Sequence, residues 1–244
     1  MNSNEKADVS VSFNRSALTW SPSAAEAWWW AIPVATTIAI LVTYWLYPEF
    51  YIAHVLPEHT GILERSHFIM PITGFLICLW LLASQRTKRI PYLRAAIVLF
   101  AIACFYIAGE EESWGQFFFG WETPDYWSEF NRQDETNLHN TSYAFNQFPQ
   151  LILELTILIG GIIAPIVVQL RGHLINNDLI ILLTPSGAMI PVSLGAVFFK
   201  AIDHFQKEDL IAGILVRPSE AKETLYYMFI LFFLIILLRR INRF

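Results

Sequence analysis

The chain has 244 residues, of which 55% are apolar and only 15% are charged. Soluble domains contain about 45–50% apolar and about 25% charged residues, and the mean hydropathy of +0.44 agrees with the apolar excess. This composition excludes a disordered chain, a disulfide-stabilised secreted domain and an ordinary cytosolic enzyme. The formal net charge of −5 argues against nucleic acid as a partner. We therefore predict an all-α, polytopic membrane protein that lies in a lipid bilayer.

Six segments are apolar over the length that crosses a bilayer, which takes about 20 residues. They are residues 28–47, 67–84, 93–108, 148–170, 179–201 and 224–238. Residues 1–27 are polar and lack the pattern of a cleaved signal. They predict a flexible cytoplasmic tail ahead of one membrane domain, residues 28–244. Inside the fifth segment, Pro185 and Gly187 predict a kink or, alternatively, a functional unwinding of the helix.

Basic side chains concentrate in connections that share one side of a six-helix bundle. They are Arg86, Lys88, Arg89, Arg171, Arg239, Arg240 and Arg243. The positive-inside rule places these residues and both termini in the cytoplasm. The three opposite connections hold sixteen of the twenty-one acidic residues. A functional site is therefore expected on the extracytoplasmic face.

The third and sixth segments meet acidic residues after a short apolar stretch. Residues 95–108 provide only about 21 Å of helix, so the carboxylates of residues 110–112 are expected at outer-leaflet depth. Glu220 and Glu223 share one helical face at the start of the sixth segment. Ionisable groups at membrane depth usually face the bundle interior or a water-filled cavity. Such clusters predict a cation or proton site, and acids that extend to the lipid headgroups are the structural alternative.

Residues 131–140, in the connection between the third and fourth spans, are rich in amide, carboxylate and imidazole groups. His139 is its candidate metal ligand or general base, because imidazole titrates near neutral pH. A polar surface loop is the alternative. The preceding residues 117–127 are rich in aromatic side chains, which predicts an interfacial helix between the third and fourth spans.

The predicted site residues carry three kinds of role. Catalysis is assigned to Glu111, Ser113 and His139. Metal binding is assigned to Glu110, Glu111, His139, Asp203 and Glu223. Substrate binding is assigned to Trp114, Gln116, Glu135, Asn137 and Glu220. The ligands are mostly oxygen atoms, which favours Mg, Mn or Ca, and His139 also suits Mn or Zn.

Residues 109–140 contain the patterns GEExSWGQ, GWETP and NxQxETNLHN. In these patterns the chain resembles an uncharacterised bacterial family of multi-pass inner-membrane proteins. The resemblance implies a multi-pass topology in a bacterial inner membrane and implies no activity. A weaker similarity is to alkaline-ceramidase-like membrane hydrolases, but the late helices lack their H-x-x-x-H pair. The spacing of His54, His59, His67 and His204 gives no three-ligand zinc pattern.

The leading functional hypothesis is a metal-dependent hydrolase or transferase that acts on a lipid-linked or envelope substrate. The ion would polarise a carbonyl or phosphoryl oxygen while a carboxylate activates water. The alternatives are an ion- or proton-coupled transporter or channel subunit, and a structural subunit of a membrane complex or oligomer. Polar residues gather at one end of the spans rather than along both leaflets, which favours the enzyme.

Overall fold

The computed structural model describes residues 28–131, 133–171 and 177–243, and within these ranges the chain is helical and has no strand. The predicted tail, residues 1–27, lies outside the described residues. Six of the described helices are long and apolar enough to cross a membrane. They are α1 (Trp28–Leu46), α2 (Ile62–Ala83), α3 (Leu93–Glu111), α4 (Tyr143–Leu170), α5 (Asp178–Lys207) and α6 (Pro218–Asn242). The predicted all-α polytopic fold is confirmed, and the chain is an integral membrane protein.

Helices α2, α3 and α6 extend further at the acidic end than the apolar segments indicated. Helix α2 begins at Ile62, α3 includes Glu111, and α6 begins at Pro218. Glu220 and Glu223 therefore lie inside α6, in a helical turn that precedes the apolar segment 224–238. These polar turns keep their backbone groups hydrogen-bonded within the helix, so an apolar composition is not required for them to be helical.

Helix α6 lies at the centre of the bundle and is the most buried of the six. It packs against α2 and α5, while α2 and α3 form an antiparallel pair joined through a short turn, Arg86–Arg89. Helices α1 and α4 are the least buried. On the outer face of α3, Leu99 and Ile102 are 67% and 60% exposed. Exposed apolar side chains of this kind are what a helix presents to lipid.

The first described helix begins, and the last one ends, at the basic end of the bundle. The Arg239 guanidinium lies 5.5 and 5.4 Å from the ring centres of Trp28 and Trp29. In the α2–α3 turn, Arg86 donates a hydrogen bond to the carbonyl of Ile241, 3.3 Å away, and another to that of Asn242. The start of α1, the α2–α3 turn and the end of α6 therefore lie together, opposite the acidic ends of α3 and α6.

Helix α5 is interrupted near this basic end. Its helical pieces are Asp178–Leu183 and Ile190–Lys207. Pro185 has no N–H, so it cannot bond the carbonyl of Ile181 as a helix would require. Arg240, which is 3% exposed, donates from Nη1 to the carbonyls of Leu182 and Thr184 at 2.9 and 2.6 Å. The run that predicted a kink thus forms a break that a buried arginine stabilises.

The aromatic segment before α4 does not form the continuous interfacial helix that its composition predicted. It forms two single turns, Gln116–Phe119 and Asp125–Ser128. Gly120 ends the first turn with φ +68°, a conformation that glycine adopts at low cost. Phe119 and Tyr126 are 80% and 73% exposed. The segment therefore presents aromatic rings outward from two short turns.

Candidate functional site

A cavity of about 410 Å³, which we call the polar chamber, opens at the acidic end of the bundle. Its walls come from α2, α3, α4, α5, α6 and the connections at this end. Seven carboxylates and three cationic side chains line it: Glu58, Glu64, Glu110, Glu111, Glu135, Glu220, Glu223, Lys207, Arg217 and Lys222. His59 and His139 add imidazole rings. The excess of carboxylates makes this chamber attractive to a cation.

Glu110, at the end of α3, holds the following loop against the bundle. Its Oε1 accepts a hydrogen bond from the indole N–H of Trp114 at 2.7 Å. Its Oε2 accepts from the backbone N–H groups of Leu138 and His139, each at 2.8 Å, and lies 3.2 Å from Nδ1 of His139. Charge-assisted bonds of this kind are stronger than neutral ones. The Glu110 carboxylate therefore fixes the position of the His139 ring.

Four side chains form a hydrogen-bonded network inside the loop between α3 and α4. The Ser113 hydroxyl donates to Oε2 of Glu135 at 3.2 Å and accepts from Nδ2 of Asn137 at 3.2 Å. Asn131 donates to Oδ1 of Asn137 at 2.9 Å. Ser113 and Trp114 both have positive φ values, 46° and 57°. This backbone is unfavourable for residues other than glycine, and the hydrogen bonds compensate for it.

Gln116 joins the two arms of the same loop. Its Oε1 accepts from the backbone N–H and the hydroxyl of Thr136 at 2.7 and 2.6 Å. Its Nε2 donates to the hydroxyl of Thr123 at 2.9 Å. Both polar atoms of the Gln116 amide are therefore engaged in holding the loop.

Six of the predicted site residues line the polar chamber, and they are Glu110, Glu111, Glu135, His139, Glu220 and Glu223. The structure places the others elsewhere. Ser113, Trp114, Gln116 and Asn137 support the loop, as their hydrogen bonds show. Asp203 lies 2.9 Å from Nζ of Lys207 and 3.8 Å from Nζ of Lys222, in ion pairs. The catalytic and ligand roles assigned to these residues stay predictions.

Sequence reasoning missed Glu64, which lines the chamber from α2, and His67, which lies one helical turn further along α2. His67 is fully buried, and its Nδ1 is 3.5 Å from Oε2 of Glu111. Glu64 Oε1 is 3.4 Å from Nη2 of Arg217. The signal was their spacing of three residues on one helical face. It was overlooked because the apolar pattern begins at His67, which left Glu64 in a predicted loop.

Glu111 is held from two helices. The Tyr227 hydroxyl on α6 donates to its Oε1 at 2.5 Å, while His67 on α2 lies beside its Oε2. This carboxylate therefore has one hydrogen-bonded oxygen and one oxygen that faces an imidazole.

The surroundings of the chamber shift three pKa values outside the spans. Burial alone would lower the pKa of His139, but the carboxylates of Glu110, Glu111 and Glu135 outweigh it and raise that pKa. Burial raises the pKa of Glu112, and the charge of Glu111 adds to the effect. Burial opposes the charge on Arg217, but nearby carboxylates outweigh it and raise its pKa further. The arginine thus stays cationic, and protonation of His139 is favoured.

A second cavity of about 590 Å³, which we call the apolar groove, adjoins the polar chamber between α3 and α4. Phe100, Leu153 and Phe233 are among its mainly apolar lining residues. Six residues line both cavities, and they are Tyr106, Ile107, Pro149, Gln150, Glu223 and Tyr227. The two cavities therefore share a wall, polar on one side and apolar on the other.

Comparison of the chain with family models, with curated proteins and with solved structures found no match. The resemblance in residues 109–140 therefore stays a prediction.

Proposed function

We propose that the protein is a membrane hydrolase or transferase that acts, with a divalent cation, on a lipid-linked substrate. The supporting observation is the wall that the polar chamber and the apolar groove share. An amphiphile has a polar head beside an apolar chain, and the paired cavities match this order. The head would occupy the chamber and one acyl chain the groove, which is lined by apolar side chains of α3, α4 and α6.

The chamber walls offer an acid and a base for cleavage of an ester or phosphoester. Glu111 is the proposed base, which accepts a proton from water as the water oxygen bonds to the carbonyl carbon or phosphorus. His139, oriented by Glu110, is the proposed acid, which gives its proton to the leaving alcohol oxygen. General acid–base catalysis of this kind contributes about 10²–10⁴-fold in rate. The cation would polarise the carbonyl or phosphoryl oxygen.

The composition of the central helix, α6, favours an enzyme over the transporter alternative. From residue 228 to residue 238, α6 carries only apolar side chains. A path for ions through the bundle needs polar groups in both leaflets, and α6 offers them only at its two ends. A site that opens at one end of the spans agrees better with chemistry on a substrate from one leaflet.

We further propose that the chamber faces the extracytoplasmic side of a bacterial inner membrane. The cluster of Arg86, Arg239 and Arg240 at the opposite end supports this orientation through the positive-inside rule. A reporter that is active only outside the cytoplasm should be active when fused after residue 130 and inactive after residue 244. The reverse pattern would reject this orientation.

An assay of lipid turnover tests the proposed enzymatic activity. Purified protein in vesicles of total bacterial phospholipid, supplied with Mn²⁺, should release a lipid product that mass spectrometry detects. Glu111→Gln should lower the rate by about 10²–10⁴-fold, because the amide cannot accept a proton from water. Glu112→Gln, at the next position, should keep the wild-type rate. Wild-type protein without turnover would contradict the proposal and favour the structural-subunit alternative.

The groove is tested in the same assay with a bulky side chain. Ala103 lines the apolar groove, whereas its neighbour Ile102 faces outward and is 60% exposed. Ala103→Trp should therefore reduce turnover and the lipid retained on purification, while Ile102→Trp should change neither. Equal turnover in both variants would contradict the proposal that the acyl chain occupies the groove.

A further inference from the structure

His67 has a defined proton position at the junction of α2, α3 and α6. Its Nε2 lies 3.2 Å from the backbone carbonyl of Glu220 and 2.9 Å from the hydroxyl oxygen of Thr224. The Thr224 hydroxyl donates its single proton to the same Glu220 carbonyl at 2.9 Å. Both neighbours of Nε2 therefore accept, so Nε2 carries a proton. A neutral ring then presents the lone pair of Nδ1.

That lone pair faces carboxylate oxygens. Nδ1 of His67 is 3.5 Å from Oε2 of Glu111 and 3.9 Å from Oε2 of Glu220, and it makes no hydrogen bond. The side chain is fully buried. Acceptors that face one another in a buried position are unfavourable unless a positive charge lies between them. The arrangement therefore calls for a positive charge between Nδ1 and these oxygens, which either a proton on the ring or a metal ion supplies.

A further carboxylate completes a ligand set. One carboxylate oxygen of Glu64, one of Glu220 and a ring nitrogen of His67 all lie within 4.8 Å of one another. Ligands that each lie about 2.0–2.6 Å from one ion are at most about 5 Å apart. The three groups can therefore reach a single ion with small side-chain movements.

The outer oxygens of these carboxylates are already held by donors. Arg217 Nη2 is 2.9 Å from Oε1 of Glu220 and 3.4 Å from Oε1 of Glu64. Tyr227 donates to Oε1 of Glu111. Each carboxylate thus keeps a second oxygen for an ion. Partners of this kind orient the ligands of metal sites and support metal affinity.

We propose that Glu64, His67 and Glu220 bind a divalent transition-metal ion, Mn²⁺ or Zn²⁺, with Glu111 beside its remaining position. The imidazole favours these ions over Mg²⁺ and Ca²⁺, which prefer oxygen ligands alone. Glu64, Glu111 and Glu220 also line the polar chamber, so an ion here would contact a substrate in it. This ligand set differs from the one predicted from the sequence and leaves out Glu110, whose two oxygens already accept hydrogen bonds from the loop.

The site would supply the cation of the proposed reaction, but its test measures bound metal and not turnover. Chelator-stripped protein in detergent is titrated with Mn²⁺ alone, followed by the loss of the free-ion EPR signal, and then with Zn²⁺ as competitor. We expect one Mn²⁺ per chain, displaced by Zn²⁺. Glu64→Gln and His67→Gln should each weaken binding by more than about 100-fold, and Tyr227→Phe by about 10-fold, as for an outer partner.

Glu58→Gln is the matched control, because Glu58 lines the same chamber and contacts Arg217 at 3.4 Å but is 61% exposed in its side chain. It should bind Mn²⁺ as the wild type does. Gel filtration verifies folding of each variant, and Glu64→Gln, a near-isosteric change at the chamber wall, decides the matter if His67→Gln does not fold. Wild-type protein that binds neither ion, or folded Glu64→Gln with wild-type affinity, overturns the site. Bound metal without lipid turnover would contradict only the proposed function.

Discussion

Arg240→Leu is expected to lower the free energy of unfolding by about 3 kcal/mol, since each buried carbonyl that loses its donor costs about 1–3 kcal/mol. The carbonyls concerned are those of Ile181, Leu182 and Thr184, which lie 3.4, 2.9 and 2.6 Å from Nη1 where α5 is broken. For the Ile181 carbonyl, Pro185 cannot replace the donor, because it has no N–H. Leucine fills much of the same space, so the loss reports hydrogen bonding rather than a cavity. Thermal or denaturant unfolding in detergent measures the change.

Arg239→Leu is the matched control for this prediction. It removes the same charge one position away, where the guanidinium lies over the rings of Trp28 and Trp29. Cation–π contacts at such positions contribute about 0.5–1 kcal/mol, so this variant should lose much less stability. Equal losses in the two variants would show that the charge at this end of α6, and not the break in α5, determines the effect.

Glu110→Gln is expected to release the loop that covers the polar chamber. The carboxylate accepts on both oxygens, from Trp114 on one and from the N–H groups of Leu138 and His139 on the other. An amide has one accepting oxygen, so its NH₂ group must face one of these donors. Each charge-assisted bond contributes about 1.5–3 kcal/mol, so amide hydrogen exchange at residues 138 and 139 should accelerate at least about tenfold.

Glu112→Gln tests whether this effect belongs to Glu110. Glu112 lies at the same end of α3, but within the described residues its side chain makes no hydrogen bond to the loop. Exchange at residues 138 and 139 should therefore stay at the wild-type rate. Unchanged exchange in Glu110→Gln itself would mean that the loop is held by the hydrogen bonds of Ser113, Gln116 and Asn137 rather than by Glu110.

The order of the six spans and the separation of acidic from basic ends could be predicted from the sequence. Each span is a property of one continuous segment, because a helix in lipid must satisfy its backbone groups internally and present apolar side chains. The basic residues that mark one end are likewise local in the chain. Helix ends at the chamber were harder to predict. Glu64 and Glu220 are helical although polar, and both carboxylates pair with Arg217, which directly precedes α6.

The site was harder to predict than the spans because its contacts join residues that are far apart in the chain. The sequence by itself determined that carboxylates gather at one end of the bundle and that His139 lies near Glu110. Only the tertiary structure decided that Glu110 is saturated by loop donors, whereas Glu111 and Glu220 face the buried Nδ1 of His67. Whether an oxygen is already hydrogen-bonded depends on groups that α2, α3 and α6 bring together from distant parts of the chain. Residue type and spacing within one helix carry no information about those partners.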